Sequence, residues 1–289
     1  MSIEQIETGS FIELTNRTEP PQQLRIVSWN IARGTCLDAV VEFLSSVNAD
    51  LILLQEVDTN SRRTGYRNVA KELSQKLRMN YAFGIEFQEL AQGSANSPAY
   101  HGQATLSRWQ LSSPRIMRFN DQSKFWHPYW WIPRLALLER RLGGRMALVT
   151  EVCVGNRSLV AYNVHLESRN GDDLRSRQLS ELLDDALSYD RGLPLVIGGD
   201  FNFDVHQAPQ RLLLWHTGLT NPFVGHLPTT ITRAVGRQRS IDCILTRGEL
   251  RRVSAEVHQG VYGSDHYPLS LTVCFEEAAV ESDPPEALV

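Results

Sequence analysis

The stretch LILLQEVD, Leu51 to Asp58, sets the problem posed by this chain. Its four aliphatic residues read as a strand inside a sheet, yet Gln55, Glu56 and Asp58 follow with no turn residue between them. A buried carboxylate is costly unless it is paired or bound to a metal. A strand end that needs no charge can finish in Gly, Asn or Pro. Other apolar runs end the same way. LRIVSWN (24–30) ends in Asn30, LVAYNVH (159–165) in His165, and LPLVIGGDFN (193–202) in Asp200 and Asn202. SIDCIL (240–245) carries Asp242 among apolar neighbours, and SDHYPL (264–269) puts Asp265 and His266 just before a last strand. A lone polar strand end is an ordinary cap or surface charge. Six of them, all drawn from Asn, Asp, Glu and His, point to ends that converge on one cation and one anion.

The residue types select the chemistry. Glu and Asp are hard oxygen ligands that suit Mg²⁺ or Mn²⁺, which takes few carboxylates and keeps several waters. The sequence has no HExxH and no cysteine cluster, which excludes the usual zinc patterns. Two histidines beside a hard cation suit proton transfer near neutral pH, with carboxylates to orient them. Asparagines hold phosphate oxygens or position carboxylates. The set describes metal-assisted attack of water on a phosphate ester.

The 289 residues, 42% hydrophobic, suffice for one large α/β or sandwich-type domain. The net charge of −4 argues against a chain that coats nucleic acid non-specifically, but not against local phosphate binding. The four cysteines are widely spaced in apolar stretches and read as reduced, buried thiols. No apolar run approaches the ~20 residues of a membrane span, and no signal-peptide pattern opens the chain, so a cytoplasmic location is expected. Residues 1–23 are polar and read as a flexible N-terminal arm, 24–275 as the folded domain, and 276–289 as an acidic disordered tail. Within the domain, strands outnumber helices. TCLDAVVEFLSSVN is predicted as a helix capped by Thr35, and GYRNVAKELSQKL and DDLRSRQLSELLDDALS as two more. LALLERR, RMALVTEVCV and RSLVAYNVHLE read as a three-strand meander turning at Gly143-Gly144 and Gly155-Asn156. Two packed sheets with helices outside them fit this count.

At the six strand ends the chain resembles the endonuclease/exonuclease/phosphatase superfamily, with its DNase I-like fold. SWN, LQEV, NVHLES, GGDFN, SIDCIL and SDHYPL match in order and spacing over nearly the whole domain. The resemblance implies an α+β fold, a four-layer α/β/β/α sandwich of two mainly antiparallel sheets. It also implies roles. Glu56 would be the principal ligand of Mg²⁺ (or Mn²⁺), assisted by Asn30 and Asp265. Asp200 would align or activate the attacking water, and Asn202 would hold a phosphate oxygen. His165 would stabilise charge on the phosphoryl group or protonate the leaving oxygen. His266, with Asp242 as its carboxylate partner, would be the other acid–base histidine. Which histidine is acid and which is base stays open at this level.

The partner implied is a phosphate ester, with nucleic acid among the candidates; no obligate protein partner is inferred. HLESRNGDDLRSRQLSELL followed by GGDFN looks like the tyrosyl-DNA phosphodiesterase branch, which favours a nuclease or a nucleic-acid end-processing enzyme. A phosphodiesterase or phosphatase acting on a lipid or small phosphate ester, as in sphingomyelinase-like members, is the alternative. A non-catalytic binding module is disfavoured, because every expected position is filled. Three weaker features bear on substrate. Trp126, Trp130 and Trp131 could rim the site, stacking bases or meeting lipid, or form a packed loop. Arg62 and Arg63, just after the Glu56 strand, could meet phosphate or simply face water. His101 reads better as structural than as a site residue, and Asp58 as a non-ligand that orients loop 61–67 or faces water.

Overall fold

Period-two alternation sorts every strand into two faces and so decides the layers. In the strand Leu24–Arg33, Val27, Trp29 and Ile31 belong to one buried cluster, whereas Leu24 and Ile26 belong to another. The computed structural model describes residues 2–12, 20–125, 127, 129, 140–205, 207, 214–223, 225, 227–231 and 238–276. In chain order the elements are β1 (Ile6–Ser10), β2 (Leu24–Arg33), α1 (Leu37–Val47), β3 (Leu51–Thr59), α2 (Val69–Leu77), β4 (Asn80–Ser94), β5 (Ser97–Ser107) and β6 (Gln110–Arg118). They continue with β7 (Arg141–Gly143), β8 (Met146–Val154), β9 (Arg157–His165), α3 (Gly171–Leu187), β10 (Leu195–Asp200), β11 (Asp242–Arg247), β12 (Leu250–Val257) and β13 (Leu269–Phe275).

Among the described residues, one sheet runs β1-β4-β5-β3-β2-β13-β12 with β7 added on β4, and the other runs β11-β10-β9-β8-β6. Pairing is antiparallel except for β2 with β3 and β9 with β10, which are parallel because α1 and α3 cross over between them. Leu37, Val40 and Leu44 of α1 and Val69, Ala70 and Leu73 of α2 cover the outer face of the first sheet. Leu179, Leu182, Leu183 and Ala186 of α3 cover the outer face of the second. Between the sheets lie Leu24, Ile26, Leu51 and Leu53 against Leu159, Ala161, Val196 and Ile244. This is the expected α/β/β/α sandwich. Truncating one of these inter-sheet side chains, such as Leu53→Ala, would cost about 2–5 kcal/mol. At Gly198 the sheets pack without room for a side chain: a Cβ there would lie 2.7 Å from Leu53 Cδ1.

The structure corrects several expectations. The segment read as a flexible arm contains β1, paired with β4 at the sheet edge; its polar residues hid a strand held by backbone bonds and by Glu7, whose Oε1 accepts from Tyr81 (2.6 Å) and Asn68 (2.9 Å). Helix α1 is preceded by Cys36 at its cap, without a side-chain cap bond, and Thr35 donates to Ala32 O instead. The meander is only partly present: β8 and β9 form a hairpin, but Arg141–Gly143 joins β4 in the other sheet, so Gly143-Gly144 is a crossing between sheets. Strand β6 was not anticipated, since QLSSPRIMR is mostly polar. Of the cysteines only Cys243 is buried, and Cys36 is exposed. No helix among the described residues is long and apolar enough to cross a membrane. The proposed tail from residue 277 onward lies outside the described residues.

Candidate active site

The inward-facing positions turn from apolar to polar along each parallel strand. They read Leu24, Ile26, Ser28, Asn30 on β2; Leu51, Leu53, Gln55 on β3; Leu159, Ala161, Asn163, His165 on β9; and Val196, Gly198, Asp200 on β10. Register puts the polar ends side by side: Asn30 opposite Gln55, His165 opposite Asp200, and Asp242, at the start of antiparallel β11, also opposite Asp200. The polar layer beneath is bonded through its amide donors, while Gln55 Oε1 is buried without a partner among the described residues. Gln55 Nε2 donates to Asn163 Oδ1 at 2.7 Å, and Asn163 Nδ2 donates to the Leu54 and Ala104 carbonyls at 3.0 and 2.9 Å.

Glu56 owes its position to a break in the ladder. Two residues of β3, Gln55 and Glu56, oppose the single Gln103 of β5, and a matching irregularity lies between Asn30 and Arg33 of β2. Glu56 has φ +51°, and Ala32 and Arg33 have φ +45° and +71°. Such backbone costs about 1–3 kcal/mol per residue and gathers at functional sites. The Glu56 carboxylate accepts no hydrogen bond from the described residues, yet burial, which opposes ionisation, is outweighed by cationic neighbours, His101 first, with Arg33 and His266, which hold it well below the usual carboxylate range. An ionised carboxylate set in a cationic field without a hydrogen-bond donor is a fitting seat for a small hard cation. The bulge also ends the alternation that would put Asp58 on the face of Glu56. Asp58 is fully buried, accepts from Arg63 Nε (2.6 Å) and Nη2 (2.9 Å), and pairs with His101 Nδ1 at 2.8 Å. Those two partners outweigh burial and hold it at about 2.

Asp200 lies at the centre of the group. Its Oδ1 accepts from the Asn202 N–H at 2.9 Å and its Oδ2 from Asn30 Nδ2 at 3.1 Å. The same Oδ2 is 3.6 Å from His165 Nε2 and 3.7 Å from His266 Nε2, so both imidazoles converge on one oxygen. His266 Nδ1 faces Asp242 at 2.9 and 3.0 Å, and Thr229 Oγ1 donates to Asp242 Oδ2 at 2.6 Å. Burial alone would lower the His266 value; the Asp242 carboxylate, then Asp200, push it up to about 10, so His266 is an imidazolium at neutral pH. Asp242 is itself pushed up, by burial and by Asp200. We assign the shared proton to His266, since the Thr229 hydroxyl donates to Asp242 and favours its carboxylate. Asp200, Asp242 and His266 bring donor atoms within 4.8 Å of one another and could ligate a metal. The bonds among Asp242, His266 and Thr229 suit a proton-handling pair better.

Loops complete the site. Trp29 Nε1 donates to the His266 carbonyl at 2.9 Å and Ser264 Oγ to the Asn30 carbonyl at 2.6 Å, which ties the SDH segment to the end of β2. Asp265 is exposed beside them. Asn202, at φ +57°, donates one amide proton to Leu166 O at 3.0 Å and keeps a second for a ligand. From α3, Arg175 Nη1 donates to Glu167 O and Gln178 Oε1 accepts from Glu167 N, which fixes the HLES turn.

The structure thus gathers Asn30, His165, Asp200, Asn202, Asp242 and His266, with Glu56 among the same charged groups and Asp265 at their edge. It does not gather the two arginines. Arg62 is exposed in a single 3₁₀ turn, and Arg63, read as a candidate for phosphate, has its guanidinium occupied by Asp58 and Glu89. Trp126, Trp130 and Trp131 lie outside the described residues. Sequence reasoning missed Glu86, Arg145 and Thr229. Glu86 carried a legible signal, a lone acid inside the apolar AFGIEF; the other two carried none.

A model of the Endonuclease/Exonuclease/phosphatase family matches residues 27–266. Among solved structures, the endonuclease/exonuclease/phosphatase of Beutenbergia cavernae shares 17% identity at a TM-score of 0.64, over 88% of this chain and 72% of that one. The human Nocturnin catalytic domain shares 18% at 0.64, over 94% and 98%. TDP2 of Caenorhabditis elegans shares 18% at 0.58, over 87% and 74%. No match was found among curated proteins.

Proposed function

The chain belongs to the endonuclease/exonuclease/phosphatase family, and on that premise we propose that it hydrolyses a phosphodiester with the help of Mg²⁺ or Mn²⁺. The observation that carries this reading is the placement of Asp200 Oδ2, held by Asn30 and flanked by two imidazole Nε2 atoms. Glu56, with Asn30 and Asp265, would hold the cation. When bound, the cation supplies charge stabilisation to the phosphoryl oxygens. Asp200 orients the attacking water and accepts its proton. The spare Asn202 amide proton and the His266 imidazolium donate to phosphoryl oxygens. His165 faces the developing charge from the opposite side of Asp200.

Nucleic acid, including a processed nucleic-acid end, is the favoured substrate class. The HLES turn clamped by Arg175 and Gln178 supports it, and the bound sulfate anion of the Nocturnin structure supports an anionic ligand on this fold. A second reading, a lipid or small phosphate ester, draws on a pocket of mixed character in which Phe223, Leu227 and Leu269 stand beside Asn221, Ser240 and Asp242. The test is hydrolysis of bis-p-nitrophenyl phosphate with Mg²⁺ or Mn²⁺, abolished by EDTA and by Glu56→Ala or Asp200→Ala. Full activity in either variant would overturn the reading. A panel of single- and double-stranded DNA, RNA, 5′-tyrosyl-DNA, sphingomyelin and inositol phosphates then separates the substrate classes.

A further inference from the structure

The two histidines that converge on Asp200 are backed by opposite charges. Behind His266 stands the Asp242 carboxylate. Behind His165 stands a guanidinium: Arg145 Nη1 lies 2.8 Å from His165 Nδ1 and donates to Glu86 Oε2 at 3.0 Å. Arg145 has little freedom to leave. It is 2% exposed, its guanidinium lies 5.5 Å from the Phe87 ring centre, and its backbone N–H and C=O are both taken by the side chain of Gln122 at 2.7 and 2.8 Å. The chain reaches this place only because Gly143 passes over Glu86, where a Cβ would fall 2.0 Å from the Glu86 carbonyl oxygen.

A guanidinium can donate hydrogen bonds but cannot accept them. At 2.8 Å, His165 Nδ1 must therefore be the acceptor and carry no proton. The rival partner, Glu86 Oε1, is farther away at 3.4 Å and already accepts from Gln103 Nε2 at 2.8 Å. Arg145 also neutralises Glu86, so no second positive charge is called for on the imidazole. With Nδ1 bare, the single proton of a neutral imidazole sits on Nε2, the atom turned toward Asp200 at 3.6 Å.

We propose that Arg145 is a positioning residue that fixes His165 as the neutral, Nε2-protonated imidazole, so that His165 serves as a standing hydrogen-bond donor to a phosphoryl oxygen and not as a base. The proton that moves then belongs to the Asp200, His266 and Asp242 set. The tautomer stands on its own; only the use made of its N–H rests on the phosphoesterase reading.

The test is long-range ¹H–¹⁵N correlation of histidine side chains in the metal-free protein at neutral pH. His165 is expected to show a bare Nδ1 and a protonated Nε2, while His266 shows both nitrogens protonated. In Arg145→Met, His165 Nδ1 is expected to gain a proton and turn to Glu86; if that variant does not fold, the wild-type spectrum alone decides. A protonated Nδ1 in the wild-type protein overturns the proposal. Activity gives an independent arm. Gln places an N–H near the position of Nε2, so His165→Gln should exceed His165→Ala by about ten- to a hundredfold in kcat with little change in KM, the range of one charge-assisted hydrogen bond. Equal loss in the two variants overturns the donor role. If no phosphate ester is hydrolysed at all while the spectrum holds, the functional reading fails and the tautomer assignment survives.

Discussion

β2–α1–β3 and β9–α3–β10 are built alike: two parallel strands, a crossover helix on the outer face, and polar side chains at the carboxyl ends pointing inward. They deliver those side chains differently. In the first unit the ladder is broken on both strands, and Glu56 is presented from a residue with positive φ. In the second the register is regular to its last pair, His165 opposite Asp200. A regular strand holds a carboxylate against neighbouring donors, as proton transfer requires. A bulge turns a carboxylate away from its strand neighbours, so that its lone pairs stay open for a cation. Under the proposed function, one unit serves as cation seat and its twin as proton site, according to whether the ladder is intact at its end.

Neutralising one carboxylate in each unit separates the two roles most directly. Asp200→Asn should lower kcat by about 10²–10⁴ while Mn²⁺ still binds. Glu56→Gln should weaken Mn²⁺ by more than the roughly 10–100-fold typical of changes to outer-shell partners. Titration calorimetry with Mn²⁺ and steady-state rates read the two effects, and equal loss of Mn²⁺ in both variants would erase the division of labour. Next in size is the anchor behind the bulge. Asp58→Asn leaves the buried His101 without its carboxylate and the half-buried Arg63 with Glu89 but not Asp58, and should cost about 3–5 kcal/mol in urea unfolding. The folded value of Asp58, about 2, lies below its ordinary 3.8, so its stabilisation is complete above pH 3.8 and is lost as pH falls through 2. The gap between Asp58→Asn and the parent should close over that window; a constant gap would mean that the ion pair is not its source. On the regular side, Thr229→Val removes one donor from Asp242 and should lower kcat/KM about tenfold or somewhat more. Of similar size is Gly198→Ala, which forces a methyl into the inter-sheet contact and should cost about 1–3 kcal/mol; an unchanged urea midpoint would show that the sheets have slack there.

The layers and the six strand ends were legible because they rest on residue type and period two, which the chain displays openly. Asn30, His165, Asp200, Asp242 and His266 are chemistry-bearing residues that end apolar runs, and the structure places them together. The bulge at Glu56 was not legible. LQEVD has no glycine to announce positive φ, and only the pairing partners reveal the extra residue. Arg63 misled because a basic loop residue looks alike whether it faces solvent or a buried Asp58. Arg145 gave no signal, since its meaning depends on Glu86 and His165, 59 and 20 residues away in sequence. Strand β1 was hidden for a related reason, because an edge strand held by backbone bonds can be written in polar residues.

Asn30 and Glu56 stand on one sheet, His165, Asp200 and Asp242 on the other, so the site is a seam and neither half holds it alone. A slip of the sheets by a single strand residue, about 3.3 Å, would preserve every helix and most backbone bonds and still separate Asn30 from Asp200. Alignment of the sheets is therefore the quantity on which the proposed activity depends. Loss of activity on heating or in denaturant should mark the moment at which the seam opens, ahead of any change in secondary structure.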